Sequence, residues 1–311
     1  MRERVLTNRI ALAALIAALL FGALAFAAAE ADDSPYVENE WNYVEGSIDA
    51  RQGIPEDAEG VLADIRDAGV LRVATEPYFP PQEFIDPDLS GQESYVGADM
   101  ELARRIAQRM GVALEIVPME FTEVLTAVQE GECDLGISAL AYTPGRAAVV
   151  AMSKGYYYAE DNAGSVLIIR TEDAEAIQGV GDLADRNIVA QSGSLQELLM
   201  AENVLNYREF RRLTSTQAVY QAVESGAADA AMVDVESAQA YIGNNPACGL
   251  ALVPGARFQL EDEFEGDRVV GKKGELQLMY FVNGVIDELL EAGQYRAWYQ
   301  EYEARAAELG M

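Results

Sequence analysis

Apolar runs of strand length alternate with amphipathic helical stretches along most of this chain, and that alternation admits few architectures. Val70–Thr75 (VLRVAT), Ala113–Val117 and Leu135–Leu140 read as strands. Between them, Asp99–Met110 puts Met100, Ala103, Ile106, Ala107 and Met110 on one helical face and stops at Gly111. Phe121–Gln129 does the same through Val124, Leu125 and Val128. A second block repeats the pattern, with strands at Ser165–Ile169, Asn187–Ala190, Glu209–Leu213 and Ala230–Val233 and helices at Leu195–Ala201, Ala218–Glu224 and Glu236–Ile242. Arg268–Gly271 reads as one more strand before two closing helices, Glu275–Glu291 and Tyr295–Leu309. Parallel neighbours need a long crossover, which a helix supplies, so each block is expected to be an α/β unit, a mostly parallel sheet flanked by helices. In such sheets ligands sit beyond the carboxyl ends of the strands. The loops after Thr75, Leu140, Ala190 and Val233 are such ends.

Upstream, Pro55 and Gly69 bracket a helix faced by Val61, Leu62, Ile65 and Ala68. Pro77, Pro80 and Pro81 make Glu76–Phe84 a loop. Residues 1–29 are basic, then apolar from Ile10 to Ala29, with small-x-small sites at Ala25–Ala27 and Ala27–Ala29. They read as a cleaved secretory signal, or as an anchor if left uncut, and nothing later resembles a membrane span. Residues 30–60 read as an acidic linker or arm.

Chemistry is narrowed by what the chain lacks. It has no histidine, which removes Ser-His-Asp and Cys-His nucleophilic sites and every histidine-ligated metal. Its two cysteines, Cys133 and Cys248, are too few for a cysteine metal cluster. The formal charge is −30, and −32 without residues 1–29, whose three arginines outweigh Glu3 by two. So acidic a surface repels phosphate backbones, so no nucleic-acid partner is expected. No metal or cofactor is expected either.

One cation stands out. Arg146 sits among small and apolar residues just after an apolar strand. It suits a bidentate grip on a carboxylate, or else is an exposed arginine opening a short helix. Asp234, after the apolar run Ala230–Val233, suits an ammonium group or an N-cap.

The segments GVLRVATEPYFPP, YVGADMELARRIAQRMGV, VPMEFTEVLTAVQEGECDLGISALAYTPGR, IVAQSGSLQELL, ESGAADAAMVDVESAQAYI and GQYRAWYQEYE resemble, in order and spacing, the family-3 extracellular solute-binding proteins of amino-acid ABC transporters, from about Ala68 to Leu309. The resemblance implies a two-lobed periplasmic-binding-protein-like fold. Lobe 1 would span 61–162 and 266–311 and lobe 2 163–265, with crossings near Ala159–Ala163 and Phe264–Asp267. The cysteines would then lie in different lobes, unbridged. It implies a non-enzymatic protein, exported to the periplasm or the outer membrane face, that closes on an amino acid and delivers it to permease subunits. The membrane would be touched only through an uncleaved N-terminus.

On matching positions, Arg146 would clamp the ligand's α-carboxylate and Asp234 receive its α-ammonium. Phe79 and Phe121 would wall its side chain, and Glu76 would hold a polar or cationic side chain. Ser138 and Ala139 would face the polar head. Gln191, Ser194 and Leu195 form a turn whose N–H groups suit a carboxylate. Ala141 and Leu195 depart from residues common in relatives and blur specificity. Gly97, Ala98 and Asp99 are expected to be structural, and Tyr156–Tyr158 to pack near the crossings. The alternatives are an exported cyclohexadienyl dehydratase-like enzyme using Glu76, or a freestanding sensor.

Overall fold

The computed structural model describes residues 42–159, 164–259 and 265–311. The readings for residues 1–41, 160–163 and 264 therefore lie outside the described residues, among them the signal and part of both crossings. The first block runs through α1 (Gly60–Ala68), β1 (Val70–Thr75), β2 (Tyr78–Phe79), β3 (Glu83–Ile85), β4 (Tyr95–Val96), α2 (Ala98–Met110), β5 (Ala113–Pro118), α3 (Phe121–Glu130), β6 (Leu135–Gly136), α4 (Pro144–Val149) and β7 (Val150–Tyr157). The second holds β8 (Ser165–Arg170), β9 (Asn187–Gln191), α5 (Leu195–Asn203), β10 (Glu209–Leu213), α6 (Thr216–Glu224), β11 (Ala230–Asp234), α7 (Val235–Asn244) and β12 (Leu250–Phe258). The chain then returns to the first with β13 (Asp267–Lys272), α8 (Leu276–Ala292) and α9 (Gln294–Glu308).

Each lobe is built on a five-stranded sheet, ordered β5-β1-β6-β13-β7 in lobe 1 and β10-β9-β11-β8-β12 in lobe 2. β5, β1 and β6 pair in parallel, as do β10, β9 and β11. One strand per sheet, β13 or β8, is reversed and pairs antiparallel on both sides. Four of five strands in each sheet therefore point the same way, and their carboxyl ends converge on the space between the lobes. In β1 Leu71, Val73 and Ala74 are fully covered, while Arg72 is exposed.

Some elements differ from the sequence reading. The strand expected over Leu135–Leu140 stops at Gly136, because Ala139 turns into the left-handed region at φ +46°. The three prolines of the 76–84 loop flank β2 instead of entering it, so a small β2-β3-β4 meander forms there. β7 carries no alternation because it is buried on both faces. Gly97 has φ +123°, and a β-carbon there would run into the backbone of Gln82, so only glycine lets α2 start against the meander.

Residues 42–53, within the stretch read as an acidic linker or arm, are docked on lobe 1. Val44 and Ala50 are fully buried. The Val44 N–H donates to Met152 O at 2.7 Å and the Ile48 N–H to Tyr280 O at 3.1 Å. Asn283, buried in α8, donates to both Val44 O and Gly46 O at 2.7 Å. Apolar Val44 and Ile48, set among acids, carry this docking. It also explains Gly284, whose missing β-carbon makes room for the Ile48 carbonyl. Alanine inside a helix is normally better than glycine by about 1 kcal/mol. Here we expect the opposite: Gly284→Ala should lower the melting temperature, since overpacking costs about 1–3 kcal/mol. A melting temperature at or above the parent's would show that the segment does not dock there.

The lobe cores are separate. Lobe 1 centres on Leu71, Ile106, Leu135 and Phe281, and lobe 2 packs both faces of its sheet with Ile168, Val189, Val223, Met232 and neighbours. Cys133 is buried in lobe 1 and Cys248 half-buried in lobe 2, both as free thiols. Among the described residues no helix is long and apolar enough to cross a membrane.

Candidate functional site

A cavity opens where the strand ends of the two lobes meet. It offers about 130 Å³ to the centres of water-sized spheres. At roughly 10–15 Å³ per water centre, it holds about ten waters or one small solute. From lobe 1, Glu76 follows β1, Phe79 ends β2, Phe121 opens α3, and Ser138, Ala139 and Ala141 follow β6. Lobe 2 adds Gln191 at the end of β9, Ser194 and Leu195 at the start of α5, and Asp234 at the end of β11. With Arg146, all the residues expected from the sequence to meet the ligand line this one space.

Arg146 lies in α4, whose N-cap Thr143 accepts its backbone N–H at 3.1 Å. The side chain is only 7% exposed, so its helix-opening position does not place it in solvent. Two of its five donors are used: Nη1 donates to Ala141 O at 2.6 Å and Nη2 reaches across the cleft to Gly193 O at 3.0 Å. The guanidinium stands 5.4 Å from the centre of the Phe121 ring, within cation–π range. Burial lowers its pKa to about 10, Asp267 opposing that fall, so it stays charged.

The turn facing it adds further N–H donors to the cavity wall. Ser194 caps α5 by accepting the Glu197 N–H, while the Glu197 carboxylate takes the Gly193 N–H. The N–H groups of Leu195 and Gln196, at N1 and N2, have no acceptor inside the helix by geometry, and both residues line the cavity.

The rest of the wall is acidic. Glu76, Glu83, Asp234, Glu236, Glu265 and Asp267 line the cavity, and among its described lining residues Arg146 is the one cation. Asp234 caps α7 through Ser237 N at 2.8 Å, so the capping and cavity positions coincide in one residue. Burial raises it to about 6. Burial likewise raises Glu76 to about 8, against bonds from Tyr78 N–H and Gln191. Gln191 Nε2 reaches Glu76 Oε1 across the lobes at 3.4 Å. The Ser138 hydroxyl is engaged inward, accepting the Glu76 N–H and donating to Glu83 Oε1, both at 3.0 Å. Its one proton is thus committed to Glu83, and one acceptor lone pair is left.

Glu83 and Asp99 face each other, fully buried, and burial raises both. Asp99 accepts from Ala139 N, Tyr156 OH and Tyr295 OH at 2.6–2.9 Å, so it is the ionised partner, with Glu83 holding the proton they share. This supports the structural role expected for Asp99, which pins the left-handed Ala139.

Sequence reasoning passed over Gln82, Glu83, Glu236 and Asp267 as cavity residues, and read Tyr157 only as packing near the crossings. Tyr157 donates to Glu236 Oε2 at 2.7 Å from lobe 1 to lobe 2. Acids buried among the prolines and apolar residues of 77–85, or directly after a crossing, were the available signals. No group of three metal-ligating side chains occurs among the described residues.

Comparison with known proteins places this geometry. The model of bacterial extracellular solute-binding proteins, family 3, matches residues 71–304. The arginine-binding extracellular protein ArtP of Bacillus subtilis (strain 168) is 25% identical over 228 residues, covering 72% of this chain and 82% of that protein. The amino acid ABC transporter substrate-binding protein AbpA from Streptococcus pneumoniae Canada MDR_19A, solved bound to L-arginine, superposes with a TM-score of 0.70 at 32% identity, covering 79% of this chain and 98% of that one. The ancestral amino acid-binding protein AncCDT-1, a precursor of cyclohexadienyl dehydratase, gives 0.67 at 26% identity, covering 78% and 99%.

Proposed function

The chain belongs to the family-3 bacterial extracellular solute-binding proteins, and from that premise we propose that it captures a cationic amino acid outside the cytoplasmic membrane, in the periplasm or on the membrane's outer face, and delivers it to the permease of an ABC transporter. The observation that carries the cationic side chain is the make-up of the wall: six carboxyl groups, which can ionise as a cation arrives, against one guanidinium. Arg146 from lobe 1 and the start of α5 from lobe 2 grip the α-carboxylate between them. Asp234 takes the α-ammonium. Glu76 receives the side-chain cation, with Phe79 and Phe121 covering its apolar stem. ArtP is named an arginine-binding protein, and AbpA is solved bound to L-arginine.

The same make-up argues against a dehydratase. Prephenate carries two carboxylates, and a chamber with one guanidinium repels the second. A protonated Glu76 has the pKa of a general acid, but the substrate it would serve is of the wrong sign.

A thermal-shift screen of the twenty amino acids tests the reading. A ligand that binds only the folded state stabilises it by about 4 kcal/mol at a thousand times its Kd. L-Arginine, L-lysine or L-histidine should raise the melting temperature well above any acidic or apolar amino acid. A shift with L-glutamate or L-leucine alone would overturn the charge assignment.

A further inference from the structure

We propose that Asp267, on the segment returning from lobe 2, is a second carboxylate for the guest's α-ammonium, acting with Asp234 from the opposite side. This rests on the amino-acid reading above. Asp267 begins β13, where it is fixed on both sides. An isolated β-bridge joins it to Ala141, whose carbonyl accepts Arg146 Nη1, and its register partner in β7 is Tyr157, which bonds Glu236. It therefore stands between the carboxylate-gripping arginine and the acidic start of α7.

The stoichiometry of donors calls for it. An ammonium taken out of water has three protons to place. Asp234 has one oxygen committed to the Ser237 N–H. Gln82 Nε2 holds Asp267 Oδ2 at 2.6 Å, which fixes the carboxyl and leaves Oδ1 without a hydrogen bond among the described residues. One oxygen from each acid then meets the ammonium, tying lobe 2 to the return strand.

The groups that act on Asp267 are Arg146 from α4, Asp99 from α2, Asp234 and Glu236 at the start of α7, Tyr156 from β7, Tyr295 from α9, and Gln82. Burial first, then the three acids, raise it to about 8, so the empty site holds a proton here that an arriving ammonium expels.

The test uses L-arginine and 5-guanidinopentanoate, the same molecule without its α-amino group, measured by calorimetry on the parent and on Asp267→Asn. For L-arginine, D267N should raise Kd tenfold or more, as removal of a buried charge partner does. For 5-guanidinopentanoate it should change Kd less than about threefold, the size of a peripheral contact. Equal losses for both ligands would overturn the proposal, since Asp267 would then serve the side chain or the fold. The parent alone gives an independent readout. Titrated at pH 7 in buffers of different ionisation enthalpy, L-arginine should release about one proton more than 5-guanidinopentanoate. Equal release overturns the proposal even if D267N does not fold. If the parent binds neither L-arginine nor any other amino acid, the reading beneath fails too. Tight L-arginine binding with equal losses fails Asp267 alone.

Discussion

Arg146→Ala should abolish amino-acid capture. The guanidinium is buried, stays charged, and is aimed by two carbonyls and the Phe121 face. Its remaining donors form the fork that a planar carboxylate fits. Deleting the partner of a buried, hydrogen-bonded charge costs about 2–5 kcal/mol, or about 30- to 5,000-fold in Kd. Part of that loss is the penalty of enclosing a carboxylate with nothing opposite it but the N–H groups of α5. Arg146→Lys separates charge from shape. It keeps the positive charge, but a single ammonium cannot hold Ala141 O, Gly193 O and a bidentate guest together, so it should still lose at least about tenfold. A thermal shift with L-arginine that survives Arg146→Ala at the parent's size would remove the clamp, and with it the proposed orientation of the ligand.

The residues of the proposed clamp were legible in the sequence because their signals are local. Strand ends in an α/β sheet face the ligand space, so Glu76 after β1, Gln191 in β9 and Asp234 in β11 were placed by the runs of Val, Ala and Ile before them. Arg146 was conspicuous as a cation among small residues. The far wall was not legible for the same reason. Asp267 reaches the site only because β13 inserts between β6 and β7 and bridges to Ala141, a pairing between distant segments that leaves no pattern in either. Glu83 looked like part of a proline-rich loop, yet the meander turns it fully inward against Ser138 and Asp99. β7 was missed because a strand covered on both faces has no period to read. The docking of residues 42–53 depends on two apolar side chains in an acidic stretch and on a glycine in a helix some 230 residues later, none of which is informative alone.

The same buried acids make pH act in opposite directions on the empty and the filled protein. In the empty cavity Glu76 and Asp267 titrate at about 8, whereas the unfolded chain releases those protons at ordinary values of 4.5 and 3.8. Between those limits the folded state holds more protons than the unfolded one, so stability falls as pH rises. The empty protein should therefore lose stability steadily as pH rises from about 4.5 to about 8. Asp234, raised to about 6, adds to the same slope. Asp49 and Asp86 are lowered by Arg51 and Arg305, so they titrate below this window and leave its sign unchanged. Binding reverses the trend. A cationic guest needs the carboxylates ionised, so each group that must lose its proton weakens affinity about tenfold per pH unit below 8. From pH 8 to pH 6 the Kd for L-arginine should rise about 50-fold if one of the two ionises on binding, and about 2,500-fold if both do, since each is already half protonated at pH 8. Glu76→Gln should remove its share of the slope from both curves and leave the share of Asp267. Affinity that is flat from pH 6 to 8, or that improves towards pH 6, would show that the guest does not meet these acids as a cation.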